Sequence, residues 1–154
     1  PDESPAGFPP LRTRPLAVLT AVLGPACRLG PRKIVPVTGG TLRGPRLDAR
    51  LLPGGGDWAW ERGDGVLTLD VRLTAETADG ALILVTYTGM RHGPPAVLDR
   101  LARGEAVHPS EMYFRIQPSF ETADPRYAWL ARLLAVGLGE RLPAGPRYHI
   151  HEVL

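Results

Sequence analysis

One segment constrains the fold more than any other. From Val66 to Thr77 the chain alternates strictly, with Leu67, Leu69, Val71 and Leu73 on one face and Thr68, Asp70, Arg72 and Thr74 on the other. A period of two fits a half-buried β-strand and no helix. Ala78-Asp79-Gly80 supplies a turn, and Ala81–Gly89 returns as an apolar, β-branched run. The pair reads as an antiparallel hairpin. A hairpin with one apolar face is not stable alone, so the rest of the chain must cover that face.

The remaining segments repeat this grammar. Leu16–Leu23 is a short apolar run bounded by Pro15 and Gly24-Pro25, which reads as a buried strand. Residues 33–37 form a brief strand, Thr38-Gly39-Gly40 a turn, and 41–52 a longer strand bent at Gly44-Pro45. A glycine-rich loop at 53–57 leads into Trp58-Ala59-Trp60, and Asp64-Gly65 marks another hairpin turn. Residues 94–103, with Pro94-Pro95 at the start and Gly104 at the end, read as a helix. Ser110–Thr122 reads as a strand with Pro118 at a bulge or edge, Asp124-Pro125 opens a second short helix, and 132–138 and 146–153 close the chain as strands. Short connections between so many strands predict a mainly β fold, a closed antiparallel β-barrel of about eight strands with two short helices. The expected division is a Pro-rich arm over 1–15 and a single barrel domain over 16–154, a length that suits one domain.

Composition excludes several function classes. With 18 basic and 16 acidic residues, a net charge of +2 and a single lysine, Lys33, the chain has no basic stripe for nucleic acid. No apolar run approaches the ~18 residues that span a bilayer, and no leader pattern opens the chain, so no membrane contact and a cytoplasmic location are expected. Cys27 is the only cysteine, which allows no internal disulfide. No phosphate loop, dinucleotide fingerprint, nucleophile elbow or Cys-x-x-Cys pair occurs, and no cofactor is expected.

Several side chains could still carry chemistry. His149 and His151 share a strand face, as two metal ligands would, with His92 or His108 as a third; the solvated face of a terminal strand explains them better, and no metal is expected. Asp70, Arg72 and Glu76 form either a surface ion-pair ladder or a charged barrel lining. Tyr113, Arg115 and Gln117 share one face of a strand, and Phe114 and Ile116 the other. An aromatic and a guanidinium side by side can hold a carboxylate or an enolate oxygen. Trp58, Trp60 and Trp129 belong to the core or to a pocket wall.

Taken in order, these motifs resemble a known bacterial family. They are Ile34–Thr41, Gly44–Leu47, Leu52–Trp58, Glu76–Ile83, Arg91–Pro94, Tyr113–Arg115, Pro118–Thr122 and Tyr127–Leu130. Together they are similar to the domain of unknown function 3237, across about residues 15–153. The resemblance implies a small barrel similar in architecture to allene oxide cyclase. Barrels of that kind include enzymes that fold a flexible chain into one reactive shape, which lowers the entropic part of a barrier.

By that resemblance the favoured expectation is a cofactor-free cyclisation or isomerisation of an apolar, carbonyl-bearing substrate in secondary metabolism. The alternative is a non-catalytic barrel that binds a small hydrophobic ligand. The catalytic candidates are Arg115, Tyr113, Asp57 and Glu121, with Trp58, Tyr87 and Trp129 as ligand-binding residues. Leu73, Ile116 and Ala131 stand where the family pattern is more polar, as does Leu138, which predicts a greasier cavity. The arm and the terminal strand are the candidate contacts of a homodimer.

Overall fold

The computed structural model describes residues 5–154. Ten strands build the barrel: β1 (Thr13–Leu23), β2 (Cys27–Leu29), β3 (Arg32–Gly44), β4 (Leu47–Leu51), β5 (Gly55–Glu61), β6 (Leu67–Thr77), β7 (Leu82–His92), β8 (Tyr113–Glu121), β9 (Leu134–Leu142) and β10 (Gly145–Val153). Helix α1 (Pro95–Ala102) and a 3-10 turn at Pro109–Glu111 link β7 to β8, and a 3-10 helix at Pro125–Arg132 links β8 to β9.

Closure is antiparallel throughout. β1 pairs with β10 on one edge and with β3 on the other, so no free edge remains there. β4 and β5 lie end to end between β3 and β6, sharing one position in the wall. The wall therefore has eight positions, with the short β2 appended as a hairpin on β3.

The alternation in the sequence decides what faces inward. Leu67, Leu69, Val71, Leu73 and Ala75 are all buried, and the matching side of β7 contributes Ile83, Val85 and Tyr87. Phe114, Ile116 and Phe120 enter from β8, Tyr148 and Ile150 from β10, and Leu19 and Ala21 from β1. Burying one such large side chain contributes about 1.5–3 kcal/mol. Two successive inward positions of β9, Gly137 and Gly139, are glycines because their neighbours are large. A Cβ on Gly137 would sit 2.5 Å from Ile116, and one on Gly139 would sit 2.7 Å from the Phe114 ring.

Several boundaries differ from the sequence expectation. β1 begins at Thr13, so the last residues of the expected arm are already in the wall. Residues 38–40 do not break the chain into two strands, because β3 runs through them. Gly40 makes this possible: its φ is +132°, and a Cβ there would meet the Thr20 carbonyl oxygen at 2.0 Å. β2 went unread, β9 starts at Leu134, and the second short helix is a 3-10 helix that runs to Arg132. Pro118 sits in β8 beyond the last β8–β9 pair, Ile116–Gly137, where no ladder hydrogen bond is asked of it.

Candidate active site

The two ends of the barrel differ. At one end Glu152 of β10, its side chain 7% exposed, accepts hydrogen bonds from Arg14 and Arg46, both at 2.6 Å. Arg46 in turn lies 4.1 Å over the Trp129 ring, and the 3-10 helix that carries Trp129 packs on β8. This end is sealed.

The other end is open. An inner chamber of about 80 Å³ is lined by Asp57, Tyr148, Phe114, Leu69, Arg91 and Arg141, among others. It continues past Lys33, Arg91 and Arg141 into a vestibule of about 510 Å³, roofed by Leu98 and Leu101 of α1. Local strand parity puts each group there. Lys33, Val35 and Val37 share the inward face of β3, as do Asp57 and Ala59 on β5. Counting by twos from Ile83 leads through Val85, Tyr87 and Gly89 to Arg91, and from Gly137 through Gly139 to Arg141.

Electrostatics at this mouth is unusual. Burial pushes the Asp57 carboxyl from 3.8 up to about 6, although it accepts a 3.0 Å hydrogen bond from the Asp70 backbone N–H and lies near Lys33. Burial lowers the Arg91 guanidinium below its usual range, and the neighbouring charge of Arg141 adds to this. Arg141 and Lys33 are lowered by burial as well. Arg91 Nε and Arg141 Nη1 are buried and have no hydrogen-bond partner. Such groups ordinarily find one. Below them Tyr87 and Tyr148 meet edge to face with ring centroids 5.3 Å apart, and their hydroxyls are paired. Phe114 packs edge-on against Tyr148, also at 5.3 Å. Burial raises both phenols above the ordinary range, so both keep their protons.

A closed antiparallel barrel with this motif order places the protein. The chain belongs to the family described as Protein of unknown function (DUF3237), matched over residues 12–153. A UPF0311 protein of Rhodopseudomonas palustris is 36% identical over 95% of this chain and 99% of its own. The crystal structure of a conserved protein of unknown function from that organism superposes with a TM-score of 0.92, at 36% identity, covering 96% of this chain and 99% of its own. A β-barrel-like protein from Acinetobacter baumannii gives 0.83 at 38% identity, over 97% and 100% of the two chains. An enzyme from Penicillium herquei, 22% identical over 98% and 100%, shares the fold with a TM-score of 0.72.

Within this DUF3237 barrel the sequence candidates separate into groups. Asp57 and Tyr87 reach the mouth or the core just below it. Leu73 and Ile116, expected to line a cavity, are fully buried wall residues, and neither borders the chamber. The others lie away from the mouth, Tyr113 and Arg115 beside a shallow outer cleft with Thr88, Met90 and Gln117. Tyr113 (46% exposed) and Arg115 lie on the outer face of β8, the guanidinium 4.9 Å over the Tyr113 ring, because the apolar pair Phe114 and Ile116 takes the inward face. Glu121 is outside for the same parity reason. Trp58 (41% exposed) points outward because Asp57 and Ala59 point in. Trp129 lies under Arg46 at the sealed end and does not border the chamber, and Ala131 is exposed in the 3-10 helix.

Asp70 and Arg72 lie on the outer face of β6, and Glu76 pairs there with Arg50 at 2.7 Å. His149 and His151 line the outer face of β10, and among the described residues no three His, Cys, Asp or Glu side chains gather as metal ligands. Among the described residues no helix is long and apolar enough to cross a membrane. Sequence reading missed Arg91, Arg141, Lys33 and Tyr148. The signal was there in the strand parity, which continues past the apolar residues to each of them.

Proposed function

We propose that the mouth catalyses a cofactor-independent isomerisation or cyclisation of a small carbonyl compound, begun by proton transfer to Asp57. The supporting observation is a largely buried carboxyl, raised to about 6, that shares one small chamber with the Tyr148 phenol and with two guanidinium groups that each keep a buried nitrogen without a partner. A general base works best when its pKa lies near the working pH.

The chemistry balances without a further reactant. The Asp57 carboxylate takes the proton from the carbon next to the carbonyl, and the C–H electron pair moves to make an enolate. Of the two phenols only Tyr148 borders the chamber, so the donor to the enolate oxygen is the Tyr148 hydroxyl, turned toward the substrate while it accepts from Tyr87. The positive field of Lys33 and Arg91 favours the same charge. Protonated Asp57 then returns its proton to a different carbon, which completes an isomerisation. For a cyclisation, the enolate carbon instead closes on an electrophilic carbonyl in the same molecule and the proton goes to the new alkoxide. Water is limited by the Phe114, Leu69 and Tyr148 walls.

The test uses benzylacetone, a neutral ketone, in D₂O. Exchange of its α-hydrogens, followed by NMR, is expected to exceed the buffer rate and to fail with Asp57→Asn. Exchange at the buffer rate with the native protein overturns the reading. The second reading, a barrel that only holds a ligand, is favoured by how completely side chains fill the interior below the chamber. It predicts retention of a ligand and no exchange.

A further inference from the structure

The Arg91 and Arg141 nitrogens without partners lie in the wall of the mouth, where Arg91 packs 5.8 Å over the Phe114 ring but neither nitrogen is hydrogen-bonded within the fold. Two neighbouring guanidinium groups repel each other, and each loses hydration on burial. Elsewhere in the barrel, charge is compensated: the buried Glu152 has two arginines, and even the exposed Glu61 at the vestibule rim has Arg28 at 3.1 Å and Lys33 at 4.0 Å. Asp57 attracts Arg91 electrostatically but is hydrogen-bonded to neither unpartnered nitrogen. An arrangement that is unfavourable when empty is explained by what it binds.

We infer that Arg91 and Arg141 form a carboxylate-binding site, and that the natural ligand is a monocarboxylate whose apolar body lies under α1. This rests on the same mouth as the proposed reaction, in which Arg91 also favours the enolate charge, and adds Arg141 and the vestibule. Three features select the ligand. Guanidinium forks match the planar, two-oxygen edge of a carboxylate. Arg91 and Arg141 border both the inner chamber and the vestibule, so a carboxylate held there presents one end of the molecule to Asp57 and the other to the opening. The chamber has about the volume of two to three waters, room for a small carbonyl head and little more. The vestibule wall beyond is apolar on one side, through Val66, Leu67, Leu98 and Leu101, and suits an alkyl or aryl body.

Calorimetric titration of the whole protein tests this with phenylacetate, phenylacetamide, acetate and inorganic phosphate. Phenylacetate is expected to bind most tightly, and the isosteric amide at least about tenfold more weakly, as for loss of a charged hydrogen bond. Acetate lacks the apolar body and should bind more weakly too. Arg91→Met and Arg141→Met should each weaken phenylacetate by about tenfold to a hundredfold. Arg91→Lys, which keeps the charge but loses the fork, should fall between.

Melting of the ligand-free variants gives a second readout. If these arginines serve only binding, Arg91→Met melts at or above the native temperature. A fall of several degrees would show a structural role and overturn the assignment. So would equal affinity for the acid and the amide, or binding of phosphate in preference to phenylacetate. The two proposals fail separately. Benzylacetone exchange without carboxylate selectivity overturns the carboxylate site alone, and carboxylate selectivity without exchange overturns the proton-transfer reading alone.

Discussion

At the sealed end of the barrel, Arg14 and Arg46 converge on one carboxylate, each at 2.6 Å. At the mouth, Arg91 and Arg141 converge on nothing, and each keeps a buried nitrogen without a partner. The same residue type in the same wall therefore does two different jobs. Where the acid is built into the chain, arginine closes the barrel. Where it is missing, the protein is arranged for an acid or an oxyanion from outside. The carboxyls differ in parallel: the arginines hold Glu152 below its ordinary range, while burial pushes Asp57 up to about 6. One is a fixed anion and the other a group that can change its proton near neutral pH.

This contrast can be broken experimentally, and the largest effect is expected at the mouth. Asp57→Asn should reduce the benzylacetone exchange rate by about 10²–10⁴-fold, the usual contribution of a positioned base, while its amide oxygen keeps the hydrogen bond from Asp70. An unchanged rate would remove Asp57 from the chemistry.

Next comes the sealed end. Glu152→Gln should destabilise the fold by roughly 2–3 kcal/mol, since two charged hydrogen bonds to a buried group are weakened. Chemical denaturation measures it, and a loss below 0.5 kcal/mol, the size of an ordinary surface change, would mean the seal is not maintained by charge.

Stability should also depend on pH through Asp57. Its folded pKa of about 6 lies above the ordinary 3.8, so the folded state holds its proton more tightly than the unfolded state. This group therefore costs nothing at pH below about 4, and its penalty grows as pH rises through 4 to 6. Above that the penalty is constant at about 1–3 kcal/mol. Asp57→Asn should abolish this slope and be the more stable protein at pH 7–8. A slope that survives in the variant belongs to another group.

The smallest effect is expected on the outer face. Arg115→Met should leave stability within about 0.5 kcal/mol and leave the exchange rate unchanged. A large loss of exchange would move the reaction from the mouth to the outside of β8.

Much of the architecture is legible in the residues. The β6–β7 hairpin is written by Leu67, Leu69, Val71 and Leu73 and by the turn before Ala81, and the pairing Leu73–Val85 follows from them. The candidate site was legible only in part. Asp57 and Tyr87 were found, whereas Tyr113 and Arg115 drew attention because polar and aromatic residues cluster there. Clustering along a strand cannot distinguish the two faces of that strand. Their neighbours could have, since Phe114 and Ile116 are the larger apolar pair and take the inside.

By itself, the amino-acid order determined the strands, the main turns and the apolar face of each strand, because side-chain alternation and turn chemistry are local. It determined membership of a barrel family for the same reason. The tertiary structure alone decided which polar residues lie inside. Arg91 is next to last in β7, Arg141 next to last in β9, Lys33 second in β3 and Asp57 within β5, and nothing local relates them. They meet because β1 pairs with both β10 and β3, which closes the wall and brings these strand positions to one rim. Burial at that rim depends on how far neighbouring strands extend past one another, a property of the closed sheet rather than of any one segment.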